Sequence, residues 1–252
     1  MLARKILSKI NPRFKKSPIL KERDLNAMKS DLNDLGTDDQ FKKSFYSQDG
    51  EDAVLAAFYE EKPEYKGFYV DIGALHPYRF SNTQYFYEKG WRGINIDATP
   101  NSMAKFNQAR PDDINVEAGI SKDKKTLLYY CFKEPALNSF DKKLSEERER
   151  SGWGLIEKKK IRTMSINDFL NKYLPENKKI DFMNIDIEGL DFEVLKSLDW
   201  SKYWPDFILI EDLEMVSRNI VDYGGRDIYK FLKSKSYIIV AKTMRTLIFK
   251  NK

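Results

Sequence analysis

The sequence predicts an α/β protein with a mostly parallel sheet, helices on both faces and a C-terminal antiparallel hairpin closing one edge. Three observations carry this. Short β-rich apolar runs alternate with helical stretches from Ser44 onward. Glycines and acids fall just after those runs, where a parallel sheet places its loops. The chain ends on two consecutive strand patterns, Tyr237 to Ala241 and Thr246 to Phe249, with a short connection.

Gly67 to Ile72 is apolar and β-rich and stops at Gly73, so it reads as the first strand. Ser81 to Lys89 follows as a helix, with Ser81 as N-cap and Gly90 at its end. Gly93 to Asp97 is a second strand. Asn101 to Ala109 is a second helix opened by a capping residue type, and Ile114 to Ile120 is a third strand. Thr126 to Phe132 is strand-like. Glu134 to Lys160 is charged and aperiodic around Gly152-Trp153-Gly154, so residues 126–165 are expected to hold an insertion of helical and loop parts. Alternation then resumes with a strand at Ile180 to Ile187, a helix at Leu190 to Leu198, a strand at Phe207 to Leu213 and a helix at Arg226 to Lys233. Residues 1–40 lack this alternation and are expected to form a separate N-terminal extension to a domain at 41–252.

The 252 residues are 41% hydrophobic and 33% charged, enough for a large, well-solvated core. The net charge of +5 suits acidic partners without demanding them, because 39 acidic residues are interleaved with 44 basic ones. A single cysteine, Cys131, allows no intrachain disulfide and suggests the cytoplasm. A single histidine, His76, excludes a His-rich zinc site. No run of 18 apolar residues occurs. Met1 to Lys16 lacks the continuous apolar centre of a signal peptide and instead mixes six basic residues with Leu2, Ile6, Leu7, Ile10 and Phe14. Residues 1–16 are expected to form a surface helix or tail, or a weak peripheral contact with the inner membrane surface.

Ligands of parallel sheets bind beyond the carboxyl ends of the strands. After the first strand stands Asp71-Ile72-Gly73-Ala74, where the glycine permits a sharp turn and a close approach of backbone to ligand. The run is not G-x-G-x-x-G, so the pyrophosphate cradle of a dinucleotide is missing and a nicotinamide oxidoreductase is disfavoured. The second strand ends in Asp97, placed to accept hydrogen bonds from a ribose diol. A nucleoside site without a phosphate loop points to S-adenosylmethionine.

Further segments strengthen that reading: Ser47-Gln48-Asp49-Gly50-Glu51-Asp52, Phe68 to Ala74, Ser81-Asn82-Thr83, Gly90 to Asp97, Ile185-Asp186-Ile187-Glu188-Gly189 and Val194-Leu195-Lys196-Ser197. Over Tyr46 to Lys242 the chain resembles the FkbM-type methyltransferases, Rossmann-like (class I) S-adenosylmethionine enzymes that O-methylate sugars and natural products. The resemblance implies that Asp71, Gly73, Ala74, Asp97 and the segment Gly119 to Ser121 contact the cofactor, with Gln48 and Glu51 nearby. Many members have asparagine where this chain has Leu75.

Methyl transfer requires that the acceptor be positioned, that its proton be removed or shared, and that water be excluded. Asp186 and Glu188 follow one late strand; Glu211 and Asp212 follow the next. A carboxylate, Asp186 or Glu188, is a candidate base, with His76 as its rival. Alternatively Asp186, Glu211 and Asp212 form an oxygen-only site for Mg²⁺, resembling catechol-type O-methyltransferases. Trp153 between its two glycines is the expected substrate lid, Trp91 is expected in the core, and Cys131 is expected to be packed. The expected partner is a sugar or glycan acceptor, with self-association left open. A nucleic-acid-modifying protein is the competing class. It is disfavoured because no recognition motif appears and the basic residues form no stripe outside the N-terminus. A non-catalytic S-adenosylmethionine binder is the other alternative.

Overall fold

The computed structural model describes residues 42–212 and 224–252. The chain divides into two units, Met1–Ser44 and Phe45–Lys252, and the second carries all elements described below. The expectations for residues 1–40 and for Leu213 lie outside the described residues. Among the described residues no helix is long and apolar enough to cross a membrane.

The elements run α1 (Glu51–Ala57), β1 (Phe68–Ile72), α2 (Gln84–Glu88), β2 (Arg92–Asp97), α3 (Ser102–Ala109), β3 (Ile114–Glu117), β4 (Gly119–Ser121) and β5 (Thr126–Phe132). They continue with α4 (Lys142–Arg150), β6 (Leu155–Ser165), α5 (Ile166–Tyr173), β7 (Phe182–Ile185), α6 (Asp191–Ser197), β8 (Phe207–Glu211), α7 (Asp227–Ser234), β9 (Tyr237–Lys242) and β10 (Thr246–Asn251). The main sheet has seven strands in the order β3-β2-β1-β7-β8-β10-β9. β1, β2, β3, β7 and β8 are parallel, while β10 runs antiparallel to both β8 and β9. The predicted α/β class and C-terminal hairpin are therefore present. The chain leaves β1 toward β2 and β3, then returns to β7 on β1's other side. The β1–β7 boundary is thus a topological switch point, where a crevice opens beyond the strand ends.

Strand alternation sorts the core. Val70 and Ile72 of β1 join one cluster with Phe169 and Leu170 of α5, Val194 and Leu195 of α6, and Ile228 and Leu232 of α7. Tyr69, on the other face, joins Leu55 of α1, Phe86 of α2 and the buried Trp91. Helices cover both faces.

Two strand expectations need correction. Ile114 to Ile120 is not one strand: it breaks at Ala118, with β3 in the main sheet and β4 in a second, three-stranded sheet of order β4-β6-β5. Within the insertion, Thr126 to Phe132 is the expected strand, but Glu134 to Lys160 is not made only of helix and loop. The insertion's Lys-rich half is the 11-residue strand β6, whose partly solvated faces replace the apolar run that marks a buried strand. Two boundaries also move. α2 starts only at Gln84, though Ser81 Oγ still accepts the Gln84 N–H at 3.1 Å. Asn101 opens α3 with a left-handed backbone and no side-chain cap.

Candidate active site

A cavity of about 430 Å³ lies at the carboxyl ends of the strands, within the range for small-molecule sites. Gln48, Glu51, Asp71, Gly73, Ala74, Asp97, Asp186, Glu188 and Glu211 all line it.

The turn after β1 depends on one glycine. Gly73 has φ +90°, and a Cβ there would sit 1.6 Å from the carbonyl oxygen of Asp186. The Gly73 and Ala74 N–H groups both donate to Ile96 O, at 2.8 and 2.9 Å, so the turn is drawn toward the end of β2. Asp71 points to the face opposite Val70. There Thr83 Oγ1 and Asn184 Nδ2 donate to its two oxygens, each at 2.9 Å. Asp71 is therefore a structural anchor of the turn; burial pushes its carboxyl up, against those hydrogen bonds. Behind it the fully buried Arg110 donates to Thr83 Oγ1 and pairs with Asp113.

Asp97, at the end of β2, accepts the Leu75 N–H at 3.1 Å and the Thr99 N–H at 2.6 Å. A carboxylate has about four acceptor positions, so two remain for a ligand diol. Asn82 Oδ1, in the same cavity, is buried without a partner. The cavity thus offers a diol acceptor, an unmatched amide oxygen and a glycine turn that exposes backbone, which fit a nucleoside. Asp97→Ala should weaken S-adenosylhomocysteine binding by about 1–3 kcal/mol. Calorimetry reads this directly, and an unchanged affinity would remove Asp97 from the nucleoside pocket.

The Gly119 to Ser121 segment reaches the cavity through its apolar neighbours only. Ala118 and Ile120 line it, whereas Gly119 packs on Phe140 and Ser121 Oγ bonds Thr163 and the Asp123 carbonyl. Gln48 and Glu51 belong to a wall tied to the β9–β10 turn. Glu51 accepts from Thr243, and Arg245 forks onto Asp49 at 2.8 and 2.9 Å.

At the far strands, one oxygen each from Asp186, Glu188 and Glu211 lies within 4.8 Å of the others. Asp212 is not in this trio. It turns away and takes a bidentate fork from Arg226 at 2.6 and 2.9 Å. Glu188 takes its place through a left-handed backbone, φ +57°, and an ion pair with Arg148 of α4. Ser139 Oγ donates to the Glu188 carbonyl at 2.6 Å, so the insertion docks on this turn. Burial, then the neighbouring carboxylates, push the Asp186 carboxyl well up. Burial and Asp186 push Glu211 up to about 12, and its Oε2 has no hydrogen-bond partner.

This arrangement ties stability to pH. A folded carboxyl that holds its proton up to about pH 12 stabilises the fold fully below the unfolded value near 4.3; that contribution is lost as pH rises. Glu211→Gln removes the penalty. The variant should melt at the wild-type temperature near pH 4 and higher at pH 7, by about 3 kcal/mol or roughly 6–10 °C. A melting temperature that does not part from wild type as pH rises would show that Glu211 is ionised in the fold.

His76 does not line the cavity. Its Nδ1 accepts the N–H groups of Tyr78 and Arg79 at 3.1 and 3.2 Å, and burial, then Lys105 and Arg79, lower its pKa. It closes a turn and stands outside the cavity lining, not at the mouth of the site where the sequence places it. Trp153 lines the cavity and is 54% exposed, whereas Cys131 is buried. Sequence reasoning missed Asn184, Arg148 and Arg245. An asparagine inside the apolar run Phe182 to Ile187 was a readable signal; Arg148 and Arg245 sit in charged surface segments that carry none.

A family model described as "Methyltransferase FkbM domain" matches residues 71–239. No curated protein matches the chain. Among solved structures, a Burkholderia thailandensis 1,6-didemethyltoxoflavin-N1-methyltransferase, bound to its substrate and S-adenosylhomocysteine, is similar at 13% identity with a TM-score of 0.38. The match covers 94% of this chain and 93% of that one. That likeness is too low to bear on the site.

Proposed function

The chain belongs to the methyltransferase FkbM family and is an S-adenosylmethionine-dependent methyltransferase; from that premise we propose that it O-methylates a hydroxyl of a sugar, glycan or related natural product. The observation that carries this is the pair of the half-buried Asp186 and the buried Glu211, at the strand ends beside the Gly73 turn. Trp153 and Phe80 offer aromatic faces in the same cavity, and sugar C–H groups pack on such faces. The reading has no nucleic-acid partner and places the enzyme in the cytoplasm, with residues 1–16 as a peripheral contact.

Bound S-adenosylmethionine supplies the electrophilic methyl group. Asp97 holds the nucleoside end. Asp186 and Glu211 share a proton, as two adjacent acids must, and leave one carboxylate to accept another. That carboxylate takes the hydroxyl proton as the O–CH₃ bond forms and the S–CH₃ bond breaks. Burial pushes the Glu188 carboxyl up beside them, and the Arg148 guanidinium opposes that shift.

The three converging carboxylates also favour a second reading, in which Asp186, Glu188 and Glu211 hold Mg²⁺ and the metal lowers the pKa of the hydroxyl. A panel of sugar acceptors with methyl-labelled S-adenosylmethionine tests both. Label is expected on a sugar oxygen, with turnover unaffected by EDTA. Activity lost in EDTA and restored by Mg²⁺ selects the metal reading, and label on nitrogen or on RNA defeats the proposal.

A further inference from the structure

The outer face of the three-stranded sheet is composed against the usual rules for a strand. Lys158, Lys160 and Arg162 of β6 lie opposite Tyr130, Leu128 and Thr126 of β5, so all six share one face. Their backbone positions step by about 6.6 Å along the strand, so successive cations lie inside a Debye length and repel one another. The fold gives them no acid in return. The strand's own Glu157 is spent on Lys159, and no carboxylate bonds Lys158, Lys160 or Arg162 among the described residues. Lysine often guards exposed sheet edges against aggregation, and β4 pairs only with Thr163 to Ser165, so beside Lys158 to Arg162 β6 is paired by β5 on one side alone. Such a guard accounts for the lysines and leaves the exposed aliphatic surface among them unexplained.

Aliphatic surface accompanies the charge. Leu128, directly opposite Lys160, is 38% exposed, and Ile156, at the register shift where β6 enters its pairing with β5, is 63% exposed beside that face. Lys158 packs its ammonium over the buried Tyr130 ring, 5.2 Å from its centroid, but no acid among the described residues neutralises the row. Exposed aliphatics among cations without acid partners suit a surface that is anionic at its headgroups and apolar just beneath. A soluble polyanion would match the cations and leave Leu128 and Ile156 in water. Trp153, at the cavity rim, stands three residues before Ile156.

We propose that this face, Lys158, Lys160 and Arg162 with Leu128 and Ile156, docks the enzyme on an anionic lipid surface. Each cation gains from the surface potential, and the aliphatic side chains enter the headgroup boundary. The proposal is independent of the acceptor assignment and of residues 1–16.

The test is co-sedimentation of the full chain with phosphatidylglycerol/phosphatidylcholine vesicles and with phosphatidylcholine alone. Wild type should bind the anionic vesicles only, and added salt should release it. Lys158→Glu/Lys160→Glu/Arg162→Glu should weaken binding at least tenfold, and Ile156→Ser several-fold. Both variants should keep the wild-type circular dichroism and S-adenosylhomocysteine affinity, since none of these residues lines the cavity. No wild-type binding to anionic vesicles would overturn the proposal. So would a triple variant that binds like wild type, which would assign docking to another segment. Ile156→Ser unchanged, with equal wild-type retention on heparin, would replace the lipid by a soluble polyanion and equally overturn it.

Discussion

Asp186→Asn should lower turnover by about 10²–10⁴, the span for losing a positioned base, while S-adenosylhomocysteine still binds. Asp186 leaves β7 at the switch point. Its backbone is fixed by its N–H donating to Ile72 O at 2.9 Å, and its side chain lies against Glu188 and Glu211 in the cavity. Asparagine keeps that shape and removes the proton acceptor. His76→Ala is the control: the imidazole closes a turn outside the cavity, so its loss should change the rate less than tenfold. Single-turnover kinetics separate chemistry from binding. Equal losses in both variants would return His76 to the reacting centre. An Asp186→Asn enzyme at wild-type rate would remove Asp186 as base and as metal ligand together.

Gly73→Ala should destabilise the fold by about 4 kcal/mol or more and abolish cofactor binding, among the largest effects of one added methyl. Two terms add. A residue with a Cβ is strained at φ +90°. The new carbon would also stand 1.6 Å from a backbone carbonyl, that of Asp186, which cannot swing aside like a side chain. Relief requires parting the ends of β1 and β7, which breaks the Asp186 N–H bond to Ile72 and opens the pocket floor. Thermal melting and calorimetry with S-adenosylhomocysteine measure the two consequences. A Gly73→Ala protein with the wild-type melting temperature and affinity would show that the two strand ends do not meet this closely.

The sequence by itself determined the alternation of strands and helices, the C-terminal hairpin and the acids and glycine at the ends of β1 and β2. These are local properties: a period of two, a capping residue or a turn glycine is written in a few consecutive positions. The same rule held β6 back. Its lysines are read as loop until β4 and β5 are seen to pair with it, because a two-sided, solvated strand needs no apolar run. The break at Ala118 likewise exists only because β3 and β4 join different sheets.

Only the tertiary structure decided which acids converge. Glu211 and Asp212 are adjacent at a strand end, and neighbours there face opposite ways, so one enters the cavity and the other meets Arg226. Glu188 joins Asp186 through a left-handed turn held by Ser139 and Arg148, which lie 49 and 40 residues away in sequence. His76 is next to the cofactor turn in sequence yet outside the cavity, because two backbone N–H groups claim its Nδ1. The direction of a side chain at a strand end or loop is set by what the rest of the chain packs against it, and no local pattern encodes that.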